Sequence, residues 1–233
     1  MPKFLAYTIF MHILIDQLGK RFNREWIFRN FSHTLQSGKS YTFVGPNGSG
    51  KSTLLQVLSG ATPSSEGKIS YIIDNKTIEE DKWYKQLVIA APYLELIEEF
   101  TITEFLNFHV GFKPFKPSIS QAQIIEQLEL MASKDKAIKY FSSGMKQRLK
   151  LALAFYSDVP VVMLDEPTSN LDARWSAWYL EQVQQLSSNQ LVIICSNVPA
   201  EYDFCDEVIN VADYKSKVPV DSPIHGKGFS KSG

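Results

Sequence analysis

The chain has 233 residues, of which 44% are hydrophobic and 21% are charged. At about 100 to 200 residues per domain, this length predicts one large domain or a core with an inserted lobe, and the composition excludes a disordered or fibrous protein. The 24 Lys and Arg residues nearly balance 25 Asp and Glu residues, giving a net charge of -1. No overall positive field attracts polyanions, so we expect no nucleic-acid partner. Two cysteines are too few for a disulfide scaffold, which favours a reducing intracellular compartment.

The N-terminal apolar segment, residues 4–15, is shorter than the ~20 apolar residues that span a bilayer. A secretory signal peptide would need more positive charge than Lys3 supplies and a small-residue cleavage pattern, which does not follow. We expect residues 1–10 to be an extension outside the fold. Met11 is then an alternative to Met1 as the true start.

Short segments rich in β-branched and aromatic residues predict seven strands, several of them continuous apolar runs typical of strands buried on both faces. Four segments with helical periodicity lie between them, one with a capping-box spacing at Ser120 and Gln123. In chain order, the predicted elements are strands 12–16 and 40–44, helix 52–59, strands 68–73 and 87–91, helices 120–132 and 144–156, strand 159–164, helix 172–186, and strands 191–195 and 207–211. This alternation predicts an α/β fold with a mainly parallel sheet.

Two segments differ in composition from the rest. Residues 93–115 are dense in aromatic side chains, which predicts a lobe inserted between core strands. Lys, Ser, Gly and Pro dominate residues 216–233, which predicts a disordered tail. Within the apolar run 191–195, Cys195 is expected to be a small buried residue rather than a reactive thiol.

A glycine-rich loop follows the strand at 40–44 and matches the pattern G-x-x-x-x-G-K-[ST]. Its glycines let backbone amides converge on an anion, and the helix that follows adds its positive N-terminal end. Lys51 is expected to neutralise the β- and γ-phosphates of a nucleotide, and Ser52 to place its hydroxyl on Mg²⁺. The predicted phosphate-binding residues are Gly45, Pro46, Asn47, Gly48, Ser49, Gly50, Lys51, Ser52 and Thr53.

An apolar strand ending in two carboxylates, Asp165 and Glu166, forms the second half of a nucleotide site. The strand delivers Asp165 to the sheet edge, where its carboxylate can hold the magnesium shell. Glu166 follows and can polarise a water for in-line attack on the γ-phosphate. Together with the glycine-rich loop, this pair makes nucleotide hydrolysis the leading chemistry.

The segment 141–148, Phe-Ser-Ser-Gly-Met-Lys-Gln-Arg, resembles the signature motif of ATP-binding cassette (ABC) ATPases, usually Leu-Ser-Gly-Gly-Gln. Segments 165–168 and 169–172 resemble that family's extended Walker B motif and D-loop. The resemblance covers His12 to about Tyr214. It implies a P-loop NTPase core in a single domain at 11–215, with an N-terminal antiparallel β subdomain and a helical lobe inserted at about 93–150.

The resemblance also implies that two subunits sandwich ATP head to tail. Ser142, Gly144 and Asp172 would then contact a nucleotide bound by the opposite chain, which is either an identical subunit or a paralogue. Phe22 matches the aromatic residue that stacks on adenine, and Trp26 is its rival.

Three motifs depart from the family pattern. In the signature, Ser143 and Met145 replace Gly and Gln. Tyr93 stands where a Gln usually contacts magnesium and the attacking water, and Glu95 is a nearby rival oxygen ligand. Asn197 replaces the switch His; it can donate a hydrogen bond to the γ-phosphate but cannot carry a proton near neutral pH. Because the base Glu166 is present, we expect slow hydrolysis with Glu166, Lys51 and Asn197 as catalytic residues.

The resemblance therefore predicts the ATP-binding, ATP-hydrolysing subunit of an ABC transporter, peripheral on the cytoplasmic face of the cell membrane and dependent on a separate transmembrane permease. A cluster of aromatic residues is expected to be mostly lobe core, with one or two members in a docking patch: Tyr93, Phe100, Phe105, Phe108, Phe112 and Phe115. The alternative is a regulatory or assembly module that binds ATP with little hydrolysis. A non-transport ABC ATPase would need coiled-coil insertions or two cassettes. The short cassette favours an exporter.

Overall fold

The computed structural model describes residues 10–186 and 190–215. The extension predicted at 1–10 lies outside the described residues except for Phe10, which is 49% exposed. The tail predicted at 216–233 lies wholly outside them.

Two sheets build the core. The strands are β1 (Met11–Phe22), β2 (Glu25–Gln36), β3 (Ser40–Val44), β4 (Glu66–Ile73), β5 (Lys76–Ile78), β6 (Leu87–Ala90), β7 (Val161–Asp165), β8 (Leu191–Cys195) and β9 (Glu207–Asn210). An antiparallel sheet has the order β2-β1-β4-β5, and a second sheet has the order β6-β7-β8-β3-β9 with every paired strand parallel. The predicted α/β fold with an N-terminal antiparallel subdomain is confirmed.

The helices are α1 (Lys51–Leu58), α2 (Glu80–Trp83), α3 (Ile102–Val110), α4 (Gln121–Gln127), α5 (Ser143–Tyr156) and α6 (Ala173–Leu186). Alternate residues of each parallel strand face opposite sides of the sheet. Val162 and Ile194 pack with helices α3 to α6, whereas Met163 and Ile193 pack with α1 and the antiparallel sheet. Both faces are therefore covered, which explains the continuous apolar runs in the sequence.

Several element boundaries differ from the prediction. The strand expected at 12–16 is the start of the longer β1, and β2 was not predicted. Helix α3 was also missed, although Thr101 and Glu104 form a capping box at its start. The helix expected at 120–132 ends at Gln127, because Glu129 takes a left-handed backbone conformation with φ of 56° that stops it.

Candidate functional site

The loop between β3 and α1 borders a groove of about 300 Å³ beyond the carboxyl ends of the parallel strands. We call it the phosphate groove, after the predicted phosphate-binding residues that line it. Its path requires glycine at two positions. Gly45 has φ of 142°, and a Cβ there would lie 2.8 Å from Ser49 Oγ. Gly50 has φ of 103°, and a Cβ there would lie 2.6 Å from Ile27 Cγ2. Any other residue at these positions would strain the loop that the sequence predicts to hold phosphate.

Six of the nine predicted phosphate-binding residues line this groove, and Gly45, Pro46 and Ser49 do not. Lys51 is 7% exposed, and its Nζ donates to Gly45 O at 2.7 Å, so the ammonium folds back over the loop. It is also the first residue of α1, whose amide end faces the loop. The lining residues of the groove are Ile27, Asn47, Gly48, Gly50, Lys51, Ser52, Thr53 and Glu166.

Asp165 ends β7 opposite Cys195 of β8 and is 1% exposed. Neither of its carboxylate oxygens has a hydrogen-bond partner among the described residues. Burial raises the pKa of the Asp165 carboxyl, and the Ser52 hydroxyl, which is close but outside hydrogen-bond geometry, lowers it. The charge of Glu166 raises this pKa, and the charge of Lys51 lowers it. A buried carboxylate with free oxygens beside a serine hydroxyl fits a hard divalent cation.

The donor set also indicates how such a cation would be held. Among residues 10–186 and 190–215, no three His, Cys, Asp or Glu side chains are grouped as a metal cage. Mg²⁺ usually keeps few protein ligands and completes its shell with water and substrate phosphates. Asp165 and Ser52 beside a phosphate groove match that pattern.

Glu166 is exposed, and its side chain borders the groove. Its backbone takes φ of 44°, a conformation that costs a residue other than glycine about 1 to 2 kcal/mol. Its N–H donates to Cys195 O at 2.9 Å, and its carbonyl accepts from Ser169 N at 3.1 Å. Strained backbone that aims a carboxylate into a groove is typical of a functional position.

Asn197, which the sequence predicts to take the switch position, contacts the glycine-rich loop. Its Oδ1 accepts from Gly45 N at 3.3 Å, and its Nδ2 donates to Asn47 Oδ1 at 3.3 Å. The structure thus brings this amide together with Gly45 and Asn47 of the glycine-rich loop. Buried Cys195, two residues earlier, has its thiol pKa raised well above the ordinary value by burial, as expected for a packed residue.

The two aromatic rivals for adenine differ in their surroundings. Phe22 is 49% exposed, with Lys20 Nζ 4.8 Å from its ring centroid. The Trp26 ring already contacts two guanidinium groups, those of Arg29 at 4.5 Å and Arg21 at 5.5 Å. The ring of Phe22 is the more exposed of the two.

Tyr93 is 40% exposed and approaches the carboxylate of Asp165. Burial raises the pKa of its phenol, the charge of Asp165 adds to the rise, and a hydrogen bond with Gln56 opposes it. The phenol therefore stays protonated at neutral pH. Glu95, the rival oxygen ligand, instead lines a cleft beside Lys150 that is separate from the phosphate groove.

The signature and D-loop residues lie outside the phosphate groove. Ser142 caps α5 by accepting from Met145 N at 3.2 Å, which leaves its hydroxyl hydrogen free to donate. Asp172 caps α6 by accepting from Trp175 N at 3.0 Å. The described residues that line the phosphate groove do not include Ser142, Gly144 or Asp172.

Some residues near the site were not found from the sequence. Ile27 lines the groove, but it lies on β2, which was not predicted. Gln147 and Glu201 are each 3% exposed and bond to the turn after β7. Gln147 could have been flagged, because it shares a helix face with Leu151 and Ala154 of the core. No pattern in the sequence indicates that Glu201 is buried.

Comparison with known proteins identifies the family. The family model described as "ABC transporter" matches residues 28–169. The chain belongs to the ABC transporter family. It is 27% identical over 212 residues to the linearmycin resistance ATP-binding protein LnrL of Bacillus subtilis, covering 88% of this chain and 67% of LnrL. It is 28% identical to the ribose import ATP-binding protein RbsA of Bacillus licheniformis, covering 88% of this chain and 44% of RbsA.

Solved structures agree on the fold of this ABC domain. A dimeric ATP-binding cassette, MJ0796, in a post-hydrolysis state bound to ADP and Pi, superposes with a TM-score of 0.74 at 20% identity, covering 88% of this chain and 97% of that one. The chain thus has the ABC ATPase fold. It spans only part of the length of the curated relatives above. Within residues 10–186 and 190–215, the helices are all too short or too polar to cross a bilayer.

Proposed function

We propose that this ABC domain binds ATP with Mg²⁺ and hydrolyses it with Glu166 as the general base. The observation that carries the proposal is the phosphate groove, where Glu166 borders the glycine-rich loop and Asp165 presents two unpaired carboxylate oxygens beside Ser52. Family membership supports ATPase activity of the general class. The individual roles are inferences from this geometry.

The chain's own residues would divide the chemistry as follows. Backbone amides of the glycine-rich loop and the Lys51 ammonium bind the β- and γ-phosphates. Asp165 and Ser52 would hold Mg²⁺, which supplies charge neutralisation when bound. Glu166 accepts a proton from the attacking water. Asn197 moves its Nδ2 donor from Asn47 to the γ-phosphate, without proton transfer.

We further propose that two such domains, identical or paralogous, close over the nucleotide. Ser142 and the amide end of α5 near Gly144 then donate to a γ-phosphate on the opposite chain, and the D-loop with Asp172 lies beside them. Phe22 stacks on the adenine. Support comes from the free donor of Ser142 and from the dimeric state of the MJ0796 cassette.

The hydrolysis proposal is tested by phosphate release from the purified chain with Mg²⁺ and with EDTA, alongside Lys51→Met. We expect slow Mg²⁺-dependent release by the wild type and loss of that release in the variant. Release that is equal in EDTA, or equal in Lys51→Met, would contradict the assignment of the groove as the reaction site.

We propose that the domain acts with a separate transmembrane permease at the cytoplasmic face of a membrane. Of the predicted aromatic cluster, Phe105 is buried, whereas Phe108 is 45% and Phe112 is 56% exposed, with ring centroids 5.0 Å apart. These two rings on and after α3 form the exposed aromatic patch that we assign to docking.

Docking is tested by recovering the chain with membranes that contain its permease. Phe108→Ser with Phe112→Ser should reduce recovery at least severalfold. Tyr140→Ser is the matched control, because Tyr140 is 72% exposed outside the patch. Equal recovery of the double variant and the control would refute docking at this patch.

A second candidate is an ATP-binding assembly module with little hydrolysis. One observation favours it: Asn197 replaces the switch His and bonds to the glycine-rich loop at Gly45 and Asn47. This candidate would be favoured if the wild type bound ATP and dimerised without releasing phosphate, and if the Asn197→His variant did release phosphate.

A further inference from the structure

The turn after β7, residues 166–171, has a backbone that needs outside support. Glu166 has φ of 44° and Asn170 has φ of 64°, both in the left-handed region. Such residues persist only where the surrounding structure fixes them. The turn's internal hydrogen bonds are Ser169 N to Glu166 O at 3.1 Å and Leu171 N to Thr168 O at 3.0 Å. Neither holds Pro167 or the N–H of Thr168.

Two buried polar side chains hold those groups. Gln147 of α5 donates from Nε2 to Pro167 O at 2.7 Å. Glu201 accepts from Thr168 N at 3.0 Å and from the Thr168 hydroxyl. Together these bonds engage the two residues that immediately follow Glu166.

Burial makes these contacts informative. Gln147 and Glu201 are each 3% exposed, and a buried amide or carboxylate is unfavourable unless its hydrogen bonds compensate. The second oxygen of Glu201, Oε2, has no hydrogen-bond partner among the described residues. Apolar side chains would fill this part of the core at a lower cost in free energy. The hydrogen bonds to the turn are therefore the physical reason why Gln147 and Glu201 are polar.

The two groups also come from separate parts of the chain. Gln147 lies three residues after Gly144, where a Cβ would be only 3.0 Å from Asn170 O, so the start of α5 abuts the same turn. Glu201 lies four residues after Asn197. The turn is therefore held by hydrogen bonds from two elements: α5, which begins at the signature motif, and the segment that follows Asn197.

We infer that Gln147 and Glu201 are positioning residues that hold the turn so that the Glu166 carboxylate faces the phosphate groove. The inference rests on the proposed hydrolysis. Neither side chain lines the groove, so both act through the backbone of Pro167 and Thr168. Their loss should lower turnover and leave ATP binding unchanged, because the glycine-rich loop is held by other contacts.

The first test compares Gln147→Met with Gln190→Met in the full chain. Gln190 is a matched control: it is 8% exposed, and its Nε2 donates to a backbone carbonyl, Val159 O, at 2.6 Å, away from the turn. Both variants should melt below the wild type. Only Gln147→Met should lower kcat, by about 10- to 100-fold as expected for a misplaced catalytic group, with the Kd for ATP within twofold of the wild type.

Glu201 provides a second variant pair that stays informative if Gln147→Met does not fold. Glu201→Gln keeps an oxygen that can accept from Thr168, whereas Glu201→Ala removes it. We expect Glu201→Gln to retain more kcat than Glu201→Ala at equal ATP affinity. Equal kcat in the wild type and Glu201→Ala, or in the wild type and Gln147→Met, would overturn the inference.

Amide hydrogen exchange separates this inference from the hydrolysis proposal. The amides of Glu166 and of residues 168–171 should exchange faster in Gln147→Met than in the wild type or Gln190→Met, with those of the glycine-rich loop unchanged. Unchanged exchange in the turn would overturn the positioning role. A wild type that releases no phosphate would refute the proposed hydrolysis instead, and the exchange result would still decide whether the turn is held as inferred.

Discussion

Asp165→Asn should stabilise the nucleotide-free domain while it removes the effect of Mg²⁺. Asp165 is 1% exposed, and its two carboxylate oxygens lack hydrogen-bond partners among the described residues. A carboxylate in this position is ionised at a cost at neutral pH, since burial raises its pKa. The Asn side chain has nearly the same shape and carries no charge.

The magnitude follows from that environment. An unsatisfied buried polar group costs about 1 to 3 kcal/mol, and Asn relieves the charge but keeps a polar group in place, so we expect a gain of about 1 kcal/mol. For a domain of this size, that gain raises Tm by about 2 to 4 °C. Ligand at 100 times its Kd stabilises the wild type by about 2.7 kcal/mol, and the variant should lose the Mg²⁺-dependent part of that gain.

Thermal melts of both proteins with and without ATP, in Mg²⁺ or EDTA, measure both effects. Asp206→Asn is the control, because the Asp206 carboxylate accepts from Ser40 N at 2.7 Å and Ser40 Oγ at 2.8 Å. Replacing that satisfied carboxylate should lower Tm. The reasoning would be refuted if Asp165→Asn melted below the wild type without nucleotide, or if Mg²⁺ shifted both proteins equally.

Three further predictions concern other parts of the domain. Phe22→Ala should weaken ATP binding about tenfold, as expected for loss of about 1 to 3 kcal/mol of stacking. Trp26→Ala should have less effect in the same titration. The reverse order would assign the adenine to Trp26. Asn197→His should make turnover depend on pH between about 5 and 8, where His titrates and Asn does not; parallel pH–rate profiles of the two proteins would exclude a γ-phosphate contact. Burial, with Lys113 nearby, lowers the pKa of His109 to about 4, so the folded state binds fewer protons than the unfolded state, where the pKa is about 6.5. The free energy of unfolding should therefore fall as the pH drops from about 6.5 to 4. The denaturant midpoint should fall less over this range in His109→Gln than in the wild type. An equal fall in the two proteins would assign the acid sensitivity to other groups.

Local sequence patterns predicted the parts of the site that are built from adjacent residues. The glycine-rich loop could be read because Gly45 and Gly50 occupy backbone conformations that exclude other residues. Asp165 and Glu166 could be placed because a buried parallel strand delivers its last residues to the sheet edge. Residue-by-residue roles within that site stay predictions.

Contacts between distant segments could not be predicted in the same way. The bond from Gln147 to Pro167 spans 20 positions, and the bonds from Glu201 to Thr168 span 33. β2 was missed because its burial pattern departs from strict alternation. Helix α3 could have been predicted, because its buried residues Ile102, Phe105 and Leu106 have helical spacing and a capping box precedes them. Only the folded chain shows which polar groups it buries.

The most direct test of the central claim is phosphate release by Glu166→Gln compared with the wild type, with ATP binding measured in parallel. The substitution removes the base and keeps the shape of the side chain, so binding should be retained while turnover falls at least 100-fold, the lower range for loss of a general base. Equal turnover by the two proteins would contradict the assignment of Glu166 and, with it, the proposed reaction at the phosphate groove.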